Sequence, residues 1–270
     1  MSSNSLESID QVSYAFSSAA QSDIGCVRAT NEDAVFMNDA EKFWIVADGM
    51  GGHASGQVAA NLAVESVADY MSRWRYHEPD VLPFDRIPGA TLTESTVSNA
   101  VRVANVRVYN RSQSDPTCDG MGTTIVLMHY DPNDGLAVAH VGDSRCYRLR
   151  GDVFERLTDD HSLAGELTRS NLLTEQEAKL HAGSNVILRA LGMDDDVQVD
   201  IAVVEPKEGD QYLMCSDGLT DLLHDFEIGQ MLKDRSHDLD LVVKDLVDEA
   251  NARGGNDNIT AAIVKVAIDI

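Results

Sequence analysis

Residues 44–56 read WIVADGMGGHASG. Trp44, Ile45, Val46 and Ala47 have the character of a buried strand, and a helix is expected to begin near Ala54. Between them stand Asp48 and the glycines Gly49, Gly51, Gly52 and Gly56. The run from Gly49 to Ala54 fits the glycine fingerprint of a dinucleotide site, which also follows a strand and opens a helix. Two features speak against that reading. A carboxylate immediately before the turn repels a pyrophosphate unless a cation lies between them. A dinucleotide unit also requires a second parallel strand after the helix, with an acid about 20 residues beyond the glycines. Here a proline-broken stretch, HEPDVLPFDRIPGA (residues 77–90), and then a second helix follow instead.

Outward from this turn, short strands are expected at SYAFSSAAQSD (13–23), DAVFMND (33–39) and FWIVAD (43–48). A helix over 54–75 carries Ala60, Val64, Val67, Met71 and Trp74 on one face. A second helix follows Thr93, with Val97, Ala100, Ala104 and Val108 on one side. Strand-like runs return at 123–130, 135–143, 145–150 and 153–158, and the turn chemistry of DPNDG (131–135) joins the first two as a hairpin. Residues 162–195 are polar, poor in strand signal and helical in places, as at TEQEAKLH (174–181). Strands resume at 197–205 and 211–217. A helix over 239–252 presents Leu239, Val243, Leu246 and Ala250 and stops at Gly254-Gly255, and a long strand closes the chain at 258–268. Two strand clusters with interspersed helix pairs suggest an α+β architecture, with sheets packed on each other and helices outside. Residues 1–12 read as a loose tail and 13–270 as one domain.

The 270 residues are 43% hydrophobic, enough for a substantial core, and carry 45 Asp and Glu against 21 Lys and Arg, a net charge of -24. Such a surface repels nucleic acid and anionic membranes, so neither is an expected partner. Cys26, Cys118, Cys146 and Cys215 show no metal-type spacing, and three lie in or beside apolar runs, as buried thiols of a reducing compartment do. The polar N-terminus has no signal-peptide character and no apolar run approaches a membrane span, so a cytoplasmic protein is expected.

Acids recur where strand runs break into glycine turns: Glu32 and Asp33, Asp48, Asp143, Asp217 and Asp221, and Asp257. Any one of them is explained by the ordinary preference of Asp for turns and caps. Their recurrence is not, because three apolar runs end or begin beside an Asp-Gly or Gly-Asp pair. Carboxylates grouped without Cys or His suit hard cations such as Mg²⁺ and Mn²⁺. Two such ions share a water and clamp a phosphoryl group. Arg28, four residues before Glu32, is placed to fork onto phosphate oxygens, although a surface arginine is the plain alternative.

VRATNED (27–33), VADGMGGHASG (46–56), GMGTT (120–124), HVGDSR (140–145), LTDDHSL (157–163), CSDGLTD (215–221) and DNIT (257–260) together resemble the metal-dependent serine/threonine phosphatases of the PPM, or PP2C, family, in its bacterial branch. The likeness spans residues 14–268. It implies a central β-sandwich of two antiparallel sheets flanked by helix pairs, a four-layer αββα arrangement, with Mn²⁺ or Mg²⁺ at one end as two core ions and a third. By this resemblance Asp48 would bridge both core metals, Asp217 and Asp257 would complete the first site, and Glu32 and the Gly49 carbonyl would belong to the second. Asp143, with Asp217 and Asp221, would form the third. Arg28 would hold the substrate phosphate, Asp33 and His53 would stand behind the ligands, and residues 158–195 would be a flap.

The implied activity is hydrolysis of phosphoserine and phosphothreonine in proteins by a metal-bridged hydroxide, by a monomer acting against a serine/threonine kinase. The alternative is a non-catalytic regulator that keeps the fold and binds a phosphoprotein; retention of Asp48, Asp217 and Asp257 favours the enzyme. Two departures stand out. Met50 follows Asp48-Gly49 where many eukaryotic members have His, so a metal-bound water is the simpler donor to the leaving group. The flap run ELTRSNLLTEQEA lacks a glycine common in bacterial relatives. His140 and His161 read as packing or flap residues.

Overall fold

The computed structural model describes residues 13–51, 55–74, 83–174, 177, 178, 180, 181, 183, 185–234 and 238–269, with Trp74 as backbone alone. The expected tail at 1–12, the helix start at Ala54, the Trp74 side chain and part of the 174–181 helix lie outside these residues. Three strands, β1 (Tyr14–Asp23), β2 (Asp33–Asn38) and β3 (Phe43–Met50), lead into helices α1 (Ser55–Trp74) and α2 (Leu92–Ser114). Strands β4 (Gly122–Thr123), β5 (Ile125–Asp131), β6 (Gly135–Val141), β7 (Arg145–Arg150) and β8 (Val153–Arg156) follow. Then come α3 (Leu163–Arg169), β9 (Asp200–Val204), β10 (Gln211–Cys215), α4 (Asp217–Thr220), α5 (Asp225–Asp234), α6 (Leu239–Ala252) and β11 (Ile259–Ile268).

All pairings between the strands are antiparallel. One sheet runs β1-β11-β10-β7-β8 and the other β2-β3-β5-β6-β9, with β4 alongside β3. The period-two alternation of β3 shows how the layers form. Phe43, Ile45 and Ala47 face α1 and α2 and pack with Ala60, Val64, Val67 and Val97. Trp44 and Val46 face the other sheet and pack with Tyr212, Met214, Val264 and Val266. On the outer side of the second sheet, Leu213, Cys215, Ile259 and Ile263 pack with Ile228, Val243 and Leu246 of α5 and α6. Three apolar layers thus separate four layers of structure, an αββα sandwich.

Local chemistry refines the expected boundaries. Helix α2 begins at Leu92 because Thr91 and Glu94 form a reciprocal cap: Thr91 Oγ1 accepts from Glu94 N–H (3.1 Å) and the Glu94 carboxylate accepts from Thr91 N–H (2.7 Å). The 131–135 hairpin forms as expected, with Asp131 opposite Gly135. The strand expected over 197–205 is paired only from Asp200 to Val204. The expected 123–130 strand is divided, because Thr123 pairs with Gly49 and the next residues with Phe43–Val46. Helix α5 was not anticipated: its buried residues are Ile228, Gly229 and Leu232, too few to write a clear apolar face.

Trp44 anchors the inter-sheet layer. It is fully buried, packs on Phe16 at 5.1 Å between ring centroids, and donates from Nε1 to Asp39 Oδ1 at 2.7 Å. Trp44→Ala removes that volume and leaves Asp39 a donor short. A loss of about 3–5 kcal/mol is expected, read as a fall in the urea midpoint with an unchanged slope.

Candidate metal centre

The alternation that buries Trp44 and Val46 between the sheets puts Asp48, two residues on, at the end of the same layer. Register sets Asp33 directly opposite it. From the other sheet, Thr260 of β11 and Ser216 at the end of β10 arrive in the same layer, and their hydroxyls both donate to Asp33 Oδ2 (2.6 and 2.8 Å). Asp217 follows Ser216 as the first residue of α4. Asp48 is fixed through its backbone: its N–H donates to Thr124 Oγ1 (3.0 Å), and its carbonyl accepts from Thr124 N–H (2.8 Å) and Thr123 Oγ1 (2.9 Å). Thr124 Oγ1 also meets Ser144 Oγ (2.7 Å), next to Asp143, so one threonine spans two acid-bearing turns.

Glycine is required where α1 approaches the 48–50 turn. A Cβ on Gly49 would fall 2.1 Å from the Gly56 carbonyl oxygen, and one on Gly56 would fall 3.0 Å from Glu32 Cδ. Only two bare backbones let Glu32, Gly49 and the start of the helix meet so closely. Gly49 N–H donates to the Glu32 carbonyl (3.1 Å), and Glu32 N–H donates to Asn258 Oδ1 (2.8 Å). Arg28, from the same loop, pairs with Asp257 at 2.6 Å. A cleft of about 450 Å³ opens here, lined by Asp143, Asp160, Asp217, Asp221 and Asp257 among others.

The electrostatics are those of crowded acid. Burial first, then Asp33 and Asp217, push the Asp48 carboxyl well above the carboxylate range. Burial, then Asp143, Asp221 and Asp257, do the same to Asp217. Asp33 is raised to about 6 by burial despite its two hydroxyl donors, and Asp143 to about 6 by burial and then Asp160. Asp33 Oδ1 and Asp143 Oδ1 are buried and accept no hydrogen bond. Orphaned buried oxygens, an all-oxygen donor set and repelling carboxylates together fit a hard divalent cation.

The structure therefore brings together Arg28, Glu32, Asp33, Asp48, Gly49, Asp143, Asp217, Asp221 and Asp257. His53 lies outside the described residues. Arg28 is not a lone surface cation, since its charge is engaged by Asp257. Sequence reasoning missed Asn258, which donates from Nδ2 to the carbonyls of Ile24 and Thr30 (2.9 Å each) while accepting from Glu32, and so staples the Arg28 loop to the Asp257 turn. It also missed the bonds from Thr123 and Thr124 to Asp48 and the Arg145–Asp160 fork in the cleft wall (2.6 and 2.9 Å). Each lies inside a motif already singled out, but its partner is distant in the chain.

The sequence model of the protein phosphatase 2C family matches residues 27–262. Serine/threonine phosphatase Stp of Listeria innocua is 36% identical over 248 residues, covering 91% of this chain and 94% of that protein. The crystal structure of the Mycobacterium tuberculosis serine/threonine phosphatase PstP has a TM-score of 0.79 at 32% identity, covering 93% of this chain and 98% of that one. The catalytic domain of a phosphatase named PstP, solved in complex with two manganese ions, has a TM-score of 0.77 at 31% identity, covering 94% and 100%.

Raised carboxyl pKa values have a stability consequence of definite sign. A folded pKa of about 6 for Asp33 and Asp143 means that the native state binds more protons than the unfolded chain between pH 4 and 6. Stability is then full below the ordinary carboxylate range and lost as pH rises through 6, by on the order of 3 kcal/mol for one such group. In chelator the melting temperature should fall from pH 5 to pH 7, and Asp143→Asn should flatten that fall. The stabilisation produced by Mn²⁺ should grow over the same interval as metal displaces protons. Differential scanning calorimetry at fixed ionic strength reads all three.

Proposed function

The chain belongs to the protein phosphatase 2C family, and we propose that it hydrolyses phosphoserine and phosphothreonine esters in proteins, with two Mn²⁺ or Mg²⁺ ions at the acidic end of the sandwich and a third beside them. The observation that carries this reading is a convergence of acids: Asp143, Asp217 and Asp257 line one cleft, Asp48 is buried against Asp33, Asp217 and Asp143, and Arg28 lies within the field of Asp257, Glu32 and Asp217. Two manganese ions in the PstP catalytic domain support the cation assignment.

In this reading Asp48, Asp217 and Asp257 would hold one core ion, and Asp48, Glu32 and the Gly49 carbonyl would hold the other. Asp143, Asp217 and Asp221 hold the third. When bound, such ions lower the pKa of water and neutralise phosphoryl oxygens. The protein's own part is to hold the ligands rigid and deliver the substrate. The backbone of Asp48 is fixed by its bonds to Thr123 and Thr124. The Arg28 side chain is half-exposed (49%) and that of its partner Asp257 is partly exposed (35%), so exchanging that partner for a phosphate dianion costs little. Guanidinium forks onto phosphate better than onto one carboxylate oxygen. Asp33, held by Ser216 and Thr260, stands behind Asp48.

We read residues 158–195 as a flap, a reading supported by Ser162, Ala164 and Asn185 in the cleft wall. The substrate is taken to come from a serine/threonine kinase, and the enzyme to act as a monomer in the cytoplasm. The four free cysteines, three of them buried, are in keeping with a reducing compartment. No helix among the described residues is long and apolar enough to cross a membrane.

The direct test is hydrolysis of p-nitrophenyl phosphate and of a phosphothreonine peptide in Mn²⁺. Turnover should stop in EDTA and return with excess Mn²⁺, and a wild-type protein inert toward both substrates in saturating Mn²⁺ would overturn the reading. Asp48→Asn and Asp217→Asn should each cut kcat at least about tenfold with an unchanged circular dichroism spectrum, in line with loss of a charge held at the reacting centre. Arg28→Ala should mainly raise KM for the phosphopeptide, by the roughly 1.5–3 kcal/mol of a charge-assisted hydrogen bond. Unchanged kcat/KM would remove Arg28 from the phosphate.

A further inference from the structure

Beside the cleft, His140 of β6 and His161 are buried and stacked, with ring centroids 4.6 Å apart and planes inclined by 22°. Their nitrogens and a carboxylate oxygen of Asp200 lie within 4.8 Å of one another, a spacing open to a metal ion. The hydrogen bonds exclude that use. Gly142 N–H donates to His161 Nδ1 (3.1 Å), so Nδ1 carries no hydrogen and Nε2 does. Nε2–H then donates to Asp200 Oδ2 (3.2 Å), whose Oδ1 takes Arg189 at 2.6 Å. A metal at Nε2 would have to displace that proton beside a guanidinium nitrogen 3.2 Å away. Nearly parallel rings also aim their lone pairs side by side rather than at one point.

The arrangement is a clasp. His161 N–H donates to the Gly142 carbonyl (2.9 Å), so residues 142 and 161 exchange two hydrogen bonds, one through the backbone and one through the imidazole. The His161 carbonyl accepts from Leu188 N–H (2.8 Å), and His140 Nε2 donates to the Asp159 carbonyl (2.8 Å). Gly142 adopts φ +103°, a conformation that needs glycine, and stands immediately before Asp143 with its orphaned Oδ1. Burial keeps both imidazoles neutral, His161 down to about 4, so Nδ1 stays an acceptor at physiological pH.

We propose that His161 is a positioning residue of the phosphatase: its Nδ1 fixes the Gly142 amide and with it the turn that presents Asp143, while its Nε2–H, through Asp200 and Arg189, holds the 186–189 segment beside the same cleft. The proposal rests on the phosphatase reading. It predicts that the two nitrogens of one ring govern different kinetic parameters. His161→Asn places an amide oxygen where Nδ1 stands and loses the Asp200 bond. His161→Gln reaches the Nε2 position and loses the Gly142 bond. His161→Leu loses both.

Three measurements decide it: hydrogen exchange at the Gly142 amide in EDTA, kcat and KM on a phosphothreonine peptide, and KM on p-nitrophenyl phosphate. His161→Gln and His161→Leu should exchange Gly142 about tenfold faster than wild type, as loss of one ordinary hydrogen bond implies. Both should lose about tenfold in kcat. His161→Asn should keep exchange and kcat within about threefold of wild type but raise KM for the peptide and not for p-nitrophenyl phosphate. Unchanged Gly142 exchange in His161→Gln overturns the proposal, and so do Asn and Gln variants with the same kcat and KM. If His161→Leu does not fold, the Asn and Gln pair carries the comparison alone. A wild type inert toward every phosphoester would sink the phosphatase reading, and the exchange rates, measured without metal, would still show whether His161 holds the turn.

Discussion

Like charge confined at the end of an apolar layer is the constraint on which this structure turns. The layer between the sheets is built from Trp44, Val46, Tyr212, Met214 and Val264, and it ends in Asp33, Asp48, Ser216 and Thr260, residues in phase with that interior. Strand alternation leaves no choice in the matter: a residue in phase with Val46 must face the other sheet, whatever its charge. Two hydroxyls answer one oxygen of Asp33 and Arg28 answers Asp257, but among the described residues Asp33 Oδ1 and Asp143 Oδ1 accept no hydrogen bond. Burial and mutual repulsion then drive the carboxyl groups to hold protons they would shed in water. A cation relieves both costs, which makes metal affinity and native stability two readings of the same free energy.

The scaffold spends rigidity where charge is densest. Asp48 sits on a central strand and is tied to Thr123 and Thr124, whereas Arg28 and Glu32 ride on a loop between β1 and β2. That loop is disciplined by one side chain, Asn258, whose amide reaches Glu32, Ile24 and Thr30. Asp48 on a fixed backbone and Arg28 on a tethered loop suit the proposed division of labour. Ions demand fixed distances, and a substrate must arrive and leave.

Much of this was legible in the sequence, because it is written locally. The β3 run, the apolar face of α1 and the limits of α6 follow from short periodicities. The recurrence of acid-glycine pairs at strand ends marked Asp48, Asp143 and Asp217 as candidates together, where each alone was an ordinary turn residue. What could not be read is pairing between distant segments. That Asp33 faces Asp48 depends on the β2–β3 register, and that Arg28 is engaged by Asp257 depends on a contact across 229 positions of chain. Helix α5 escaped for a different reason. Gly229 sits at its centre, where a Cβ would lie 3.0 Å from Phe154, and only Ile228 and Leu232 are buried beside it, so a weak helix former and a short apolar face hide the helix.

The order of the strands bears on how the protein comes into being. Strand β11 lies between β1 and β10, with every residue from Tyr14 to Asp23 paired to it. The segment that begins at Asp257 and runs into this strand supplies Asp257, Asn258 and Thr260, later in the chain than every other residue of the acidic cluster. During synthesis β1 must wait, edge exposed, while more than two hundred residues are added before its neighbour emerges. Until then the Arg28 loop lacks its staple and Asp33 lacks one of its two donors. The acidic cluster is therefore completed last: its final acid and its staple arrive only with the strand that closes the sheet.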